Sequence, residues 1–134
     1  MPTNLYGERT LTALDHARLS RLLPGDPLSS PLSDLLEVAD VVPVRDQPAD
    51  LVTLYAQVEL VDRYTRRRQL LTVCCPDDAE PSAGFISVLS PVGLGLLGLQ
   101  AGAVARWPTP SGEEGSADIV AVTVSPDTVL DHAA

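Results

Sequence analysis

Between Phe85 and Gly112 the chain has room for one short helix and forbids a long one. Phe85-Ile-Ser-Val-Leu89 reads as a strand, Ser90 as a helix N-cap and Pro91 as the first helical residue, where a missing N–H costs nothing. Gly102 ends that helix, and Pro108, Pro110 and Gly112 prevent another from starting. The helix therefore runs from about Pro91 to about Gln100. Parallel doubly wound sheets need crossovers of about a dozen residues or more between strands. That class is excluded here.

The same segment carries Gly93-x-Gly95-x-x-Gly98, the spacing of a dinucleotide-binding fingerprint, and Asp118 stands about 20 residues further on, where such sites place an acid. A phosphate loop requires those glycines ahead of a helix inside a βαβ unit. In this chain they fall within the helix, and no second mononucleotide-binding half exists. The small residues are better read as allowing close packing of a sheet-covering helix through Leu94 and Leu97. No nucleotide cofactor is expected.

Along the rest of the chain the hydrophobic period changes once. Residues 1–9 read as a loose lead-in. Leu11, Leu14, Ala17 and Leu22 show helical spacing over Thr10–Leu23, with Thr12 and Asp15 set as a capping pair. Pro24-Gly25-Asp26-Pro27 stops that helix, and a second begins at Ser30-Pro31 or Ser33 and runs to Pro43. Together they predict a short antiparallel helical hairpin with Asp26 at its tip, followed by a linker over Val44–Asp50.

Beyond the linker the pattern alternates. Val52, Leu54, Ala56, Val58 and Leu60 share one face, as in a half-buried strand. A turn at Asp62–Thr65 leads to a strand over Arg67–Cys75. An exposed loop to Gly84 leads into the strand at Phe85, and Ala103–Trp107 and Ala117–Ser125 form a last hairpin. The predicted fold is α+β: a helical hairpin in residues 1–48, then an antiparallel sheet of five strands with one short covering helix in residues 49–134.

Charge and composition narrow the function. The net charge of −9 leaves no surplus to neutralise phosphates, so direct nucleic-acid binding is not expected. All nine cations are arginine, and the run Arg66-Arg67-Arg68 falls at a predicted turn. No secretory signal and no apolar stretch of membrane-spanning length are present, which predicts a cytoplasmic protein without membrane attachment. Cys74 and Cys75 point to opposite faces of a strand, so they suit neither a shared metal nor a mutual disulfide. His16 in the first helix is read as solvent-facing, and neither it nor His132 has a neighbouring Cys or carboxylate pair at metal-site or triad spacing. Asp77, Asp78 and Glu80 read as a solvated loop. No catalytic residue, metal or cofactor is assigned.

The order of elements, with Leu14-Asp15, Asp50-Leu51-Val52-Thr53, Ile86-Ser87-Val88-Leu89-Ser90-Pro91-Val92-Gly93, Leu96-Leu97-Gly98-Leu99 and Gly102-Ala103-Val104 through Trp107-Pro108, resembles the GreA/GreB transcription elongation factor family. Within it the resemblance is closer to the Rnk branch of regulators of nucleoside diphosphate kinase. It implies an FKBP-like C-terminal domain that docks on bacterial RNA polymerase at the secondary-channel rim. It further implies docking through Ser90 and Pro91, with Ser87 and Leu94 as weaker contacts. Cleavage factors of the family carry acids at the tip of a long coiled coil. Here Asp26 is the one acid in the inter-helix turn. The expectation is a polymerase-binding regulator that competes with Gre-type factors without stimulating transcript cleavage. Alternatives are a transcript-cleavage factor, a direct regulator of nucleoside diphosphate kinase, or an FKBP-type prolyl isomerase. The last lacks enough placed aromatics: only Tyr55, Tyr64, Phe85 and Trp107 could line such a pocket.

Overall fold

Thr12 carries the chain from strand into helix. Its extended backbone ends β1 (Thr10–Thr12), and its Oγ1 accepts from Asp15 N at 3.1 Å to cap α1 (Ala13–Ser20). The computed structural model of the chain describes residues 9–23 and 31–123. α2 (Pro31–Val38) leads into β2 (Asp40–Val42), which pairs parallel with β1, Leu11 opposite Val41. Both helices are shorter than their periodicity predicts, because Thr10–Thr12 and Asp40–Val42 are drawn into this small sheet. His16 does not face solvent as expected: its Nε2 donates to Leu36 O at 3.2 Å, tying α1 to α2. The inter-helix turn with Asp26, including the hairpin tip, lies outside the described residues.

The main sheet contains β3 (Gln57–Asp62), β4 (Arg68–Cys74), β5 (Phe85–Ser87), β6 (Val104–Pro108) and β7 (Glu114–Thr123). Its spatial order is β5-β4-β3-β7-β6. Five strands were predicted, but not all are antiparallel: β5 lies parallel to β4, Thr72 opposite Phe85 and Cys74 opposite Ser87. The intervening loop makes that direction possible with two 3₁₀ turns, Pro76–Asp78 and Pro81–Ala83. Between β3 and β7 the register shifts after Glu59, so Val120 falls outside the pairing.

The strand expected from Val52 begins only at Gln57. Residues 52–56 keep their apolar side chains inside, but their amides are engaged elsewhere. Val52 N donates to Leu99 O at 2.8 Å, Leu54 N to the Asp15 carboxylate at 2.9 Å and Tyr55 N to Val73 O at 2.7 Å. Tyr55 also takes the left-handed backbone, φ 69°, which a continuous strand does not permit.

α3 (Pro91–Leu96) covers the inner face and is shorter than predicted, because Leu97 turns extended and Gly98 takes φ 86°. One buried cluster joins Leu11, Leu19, Leu32 and Leu35 of the N-terminal segment to Val58, Leu60, Val73 and Ile119 of the sheet and Leu96 of α3. The apolar core therefore runs unbroken past the linker, where Val44–Asp46 forms a further 3₁₀ turn. Cys74 is buried and Cys75 half-buried, both free thiols.

Candidate functional site

The segment from Ser87 to Gly93 is built by its own short polar side chains. Ser87 O accepts from Ser90 N at 3.0 Å and from Ser90 Oγ at 2.7 Å. Ser87 Oγ accepts from Leu89 N at 3.0 Å, and Ser90 Oγ accepts from Gly93 N at 3.1 Å. Ser90 is thus the N-cap that the sequence predicts, and Pro91 fills the first helical position. The result is a tight turn that projects Leu89, 46% exposed, and an exposed Pro91 at the end of β5. Ser87 and Ser90 are half-buried beside them. Leu94 differs from these, being buried in the core, with its backbone N donating to Ser90 O at 3.0 Å.

Each glycine of the triplet has a packing reason. A Cβ on Gly93 would overlap the Ser87 carbonyl oxygen, and one on Gly95 would stand 2.9 Å from Arg106 O on β6. Gly98 supplies a left-handed turn against Thr10. Asp118 lies on β7, where its carboxylate pairs with Arg63 at 3.1 Å. The spacing that imitates a dinucleotide fingerprint is here accounted for by how closely α3 sits on the sheet.

Two residues that tie the N-terminal segment to the rest of the domain, Arg9 and Asp15, escape the sequence reading. Arg9, placed there in a loose lead-in, is buried, and its Nη1 donates to Leu94 O at 2.9 Å and Leu97 O at 2.7 Å. A cation there satisfies the free carbonyls at the end of a helix and opposes its negative pole. Thr10 N adds a bond to Gly98 O at 3.0 Å. Asp15, which was read as half of a capping pair, does not reach back to Thr12. Its Oδ2 accepts from Leu54 N instead, linking α1 to the chain entering β3. Burial pushes the Asp15 carboxyl up to about 6, against the lowering effects of the Leu54 N–H and Arg18. No local signal marks either residue, since their partners are 39 to 88 positions away.

The remaining sequence candidates fall elsewhere. Asp78 accepts from the Tyr55 hydroxyl, so one acid of the 77–80 loop holds a 3₁₀ turn to the segment that leads into β3. Burial first, and the Asp78 contact second, push the Tyr55 hydroxyl pKa upward. Among the described residues no group of three His, Cys, Asp or Glu side chains is placed to hold a metal. None of the described helices is long and apolar enough to cross a membrane.

Comparison with known proteins agrees with this architecture. The family described as Transcription elongation factor, GreA/GreB, C-term, matches residues 47–124. A regulator of nucleoside diphosphate kinase from Escherichia coli K12 is 27% identical over 124 residues, covering 89% of this chain and 91% of that protein. The transcription elongation factor GreA of Azorhizobium caulinodans is 34% identical over 81 residues, 60% of this chain and 52% of its own. Among solved structures, a prokaryotic transcription elongation factor GreA/GreB from Nitrosomonas europaea superposes with a TM-score of 0.70 at 35% identity. It covers 87% of this chain and 98% of its own. The Gfh1 protein of Thermus thermophilus, at 22% identity and a TM-score of 0.50 over 87% of this chain and 99% of its own, shares the fold. With its sheet, its capped turn and its matched C-terminal region, the chain belongs to the GreA/GreB transcription elongation factor family.

Proposed function

We propose that the chain is a transcription regulator that docks on bacterial RNA polymerase at the rim of the secondary channel, without stimulating transcript cleavage. The observation that carries the reading is the Ser87–Pro91 turn, a rigid, self-bonded projection on a domain of the GreA/GreB type. Ser90 and Pro91 are its contact residues, with Leu89 beside them. Ser87 holds the turn, and Leu94 supports it from the core. On this reading residues 49–134 dock, and residues 1–48 form a short arm that occupies the opening and competes with Gre-type factors.

Length argues against cleavage. Helices α1 and α2 have eight residues each, which at ~1.5 Å per residue is about 12 Å. A factor that assists hydrolysis deep in a channel must deliver several oxygens to a hard cation. The inter-helix turn offers Asp26 alone. The test is a backtracked polymerase complex incubated with the full chain, alone and with a cleavage-stimulating Gre factor. The expected results are no added cleavage and a dose-dependent loss of the Gre factor's activity. Strong stimulation of cleavage would overturn the reading.

A second reading follows from the match to the regulator of nucleoside diphosphate kinase, which spans nearly the whole of both chains. Direct contact with that kinase is its content. Immobilised chain offered purified polymerase and purified kinase separately distinguishes the two, with retention of polymerase alone expected.

A further inference from the structure

The chain carries −9 overall, yet four of its nine arginines fall within six positions, Arg63, Arg66, Arg67 and Arg68, around the turn joining β3 to β4. Two of them are neutralised across the sheet: Arg63 pairs with Asp118 and Arg68 with Glu59. Arg66 and Arg67 have no ion-pair partner among the described residues. Between Arg63 and Arg66 stands Tyr64, 80% exposed.

The turn that presents these groups is ordered. Asp62 Oδ1 accepts from Tyr64 N at 2.8 Å and Thr65 N at 2.9 Å, while Arg66 N donates to Asp62 O at 2.9 Å. Arg67 N donates to Thr65 Oγ1 at 3.2 Å. The Thr65 and Tyr64 amides hold the Asp62 carboxyl below its ordinary range, so the clamp stays ionised at neutral pH. Arg66 adopts φ 63°, an uncommon conformation for a residue with a side chain. Tyrosine and arginine are also the residues that dominate protein interfaces.

Register sets this turn opposite the docking turn. β4 runs from Arg68 to Cys74, and Cys74 pairs with Ser87, so the arginines lie at one end of β4 and Ser87–Pro91 at the other. Seven residues at ~3.3 Å make that separation about 20 Å. Between the two ends, Leu70 is 56% exposed and Phe85 37%. Phe85 lies opposite Thr72, which shares a sheet face with Leu70.

We propose that the β3–β4 turn is a second contact point for the same polymerase, in which Tyr64, Arg66 and Arg67 engage an acidic protein surface. The inference rests on the polymerase-docking reading for its partner and adds the place and chemistry of a second contact. Two points about 20 Å apart fix the orientation of a docked domain where one point leaves it free to swivel. Carboxylates suit these guanidinium groups, which bind them in bidentate fashion. Nucleic acid suits them less. Strong salt-dependent binding to a duplex rests on ~6–10 phosphate contacts, and this turn offers two guanidinium groups without an ion-pair partner among the described residues, on an acidic chain.

The test measures association of the full chain with RNA polymerase over a salt series, for wild type, Tyr64→Ser, Arg67→Glu and the double variant Arg66→Asn/Arg67→Gln. Asparagine tolerates the left-handed backbone, and a thermal melt of each variant confirms that it folds. The expected result is an association rate lower by about tenfold, with a flatter salt dependence, in the two arginine variants. Unchanged rate and salt dependence in folded variants overturns the inference while leaving the docking reading intact. No binding by the unsubstituted chain overturns both. A labelled single-stranded RNA run in parallel identifies the other occupant: tight binding lost in the arginine variants would assign the turn to nucleic acid and sink the proposal.

Discussion

Residues 52–123 hold together chiefly through ladder hydrogen bonds between β3, β4, β6 and β7, while residues 9–42 are fastened to them by apolar burial and a few polar links. Those links are Arg9 to Leu94 and Leu97, Thr10 to Gly98, and Asp15 to Leu54. A ladder shares its load over many equivalent bonds, so losing one is a local event. Two of these links, through Arg9 and Asp15, use buried ionisable side chains, so losing either leaves an unsatisfied group behind. The platform is thus robust, and the attachment of the arm depends on a handful of side chains.

The sharpest way to break this contrast is to disturb the place where the two regions meet, α3. Gly93→Ala drives a methyl group into the Ser87 carbonyl, and backbone must move to admit it. Overpacking typically costs ~1–3 kcal/mol, and the upper end, about 3 kcal/mol, is expected where the obstacle is backbone. Urea unfolding should show that loss, together with a weakened docking turn. Arg9→Ala comes next, since it strips two buried carbonyls of their donor. Hydrogen bonds to charged groups contribute roughly 1.5–3 kcal/mol each, so a loss of about 3 kcal/mol is expected. Protection of the Thr10 and Gly98 amides against hydrogen exchange should fall more than that of β3 and β7.

Asp15 makes the attachment depend on pH, and the sign follows from its raised carboxyl. Its pKa rises from 3.8 to about 6 on folding, so the fold prefers the protonated form. The stability this contributes is complete below about pH 3.8 and is lost as pH rises through about 6. At ~1.4 kcal/mol per unit the change is on the order of 3 kcal/mol. Asp15→Asn keeps an acceptor for Leu54 N but cannot ionise. The stability of Asp15→Asn relative to wild type should therefore climb between pH 4 and pH 7. A difference that stays level across that range would remove Asp15 from the account. The smallest of these effects is Ser90→Ala, which removes an exposed-side cap and should lower stability by ~1 kcal/mol without loosening the helical segment.

The same contrast separates what the sequence discloses from what it hides. Thr12, Ser90 and Pro91 act on neighbours within a few positions, and each could be read from its own surroundings, whereas the helix ends at Leu97 and Gly98, ahead of the expected Gly102. Ser87, Ser90 and Pro91 accordingly stand together as a turn, as the sequence implied. Leu94, a weaker docking contact by resemblance, is buried as its place among the packing residues of the covering helix suggested. Arg9 and Asp15 were missed because their partners are brought near only by the completed fold. Tyr55 shows the limit of periodicity. Its neighbours alternate as a strand should, yet Leu54 N and Tyr55 N are claimed by Asp15 and Val73, and the ladder starts later. Parallel pairing of β4 with β5 was hidden for a related reason, since two 3₁₀ turns replace the helix that usually returns the chain.

The central claim is that the Ser87–Pro91 turn is a recognised surface and not merely the cap of α3. It is tested most directly by Pro91→Ala, with affinity for RNA polymerase and the thermal melt measured on the same preparation. Alanine is tolerated at the first helical position, so the account predicts a native melt with affinity reduced about tenfold. Native melting with undiminished affinity would contradict it.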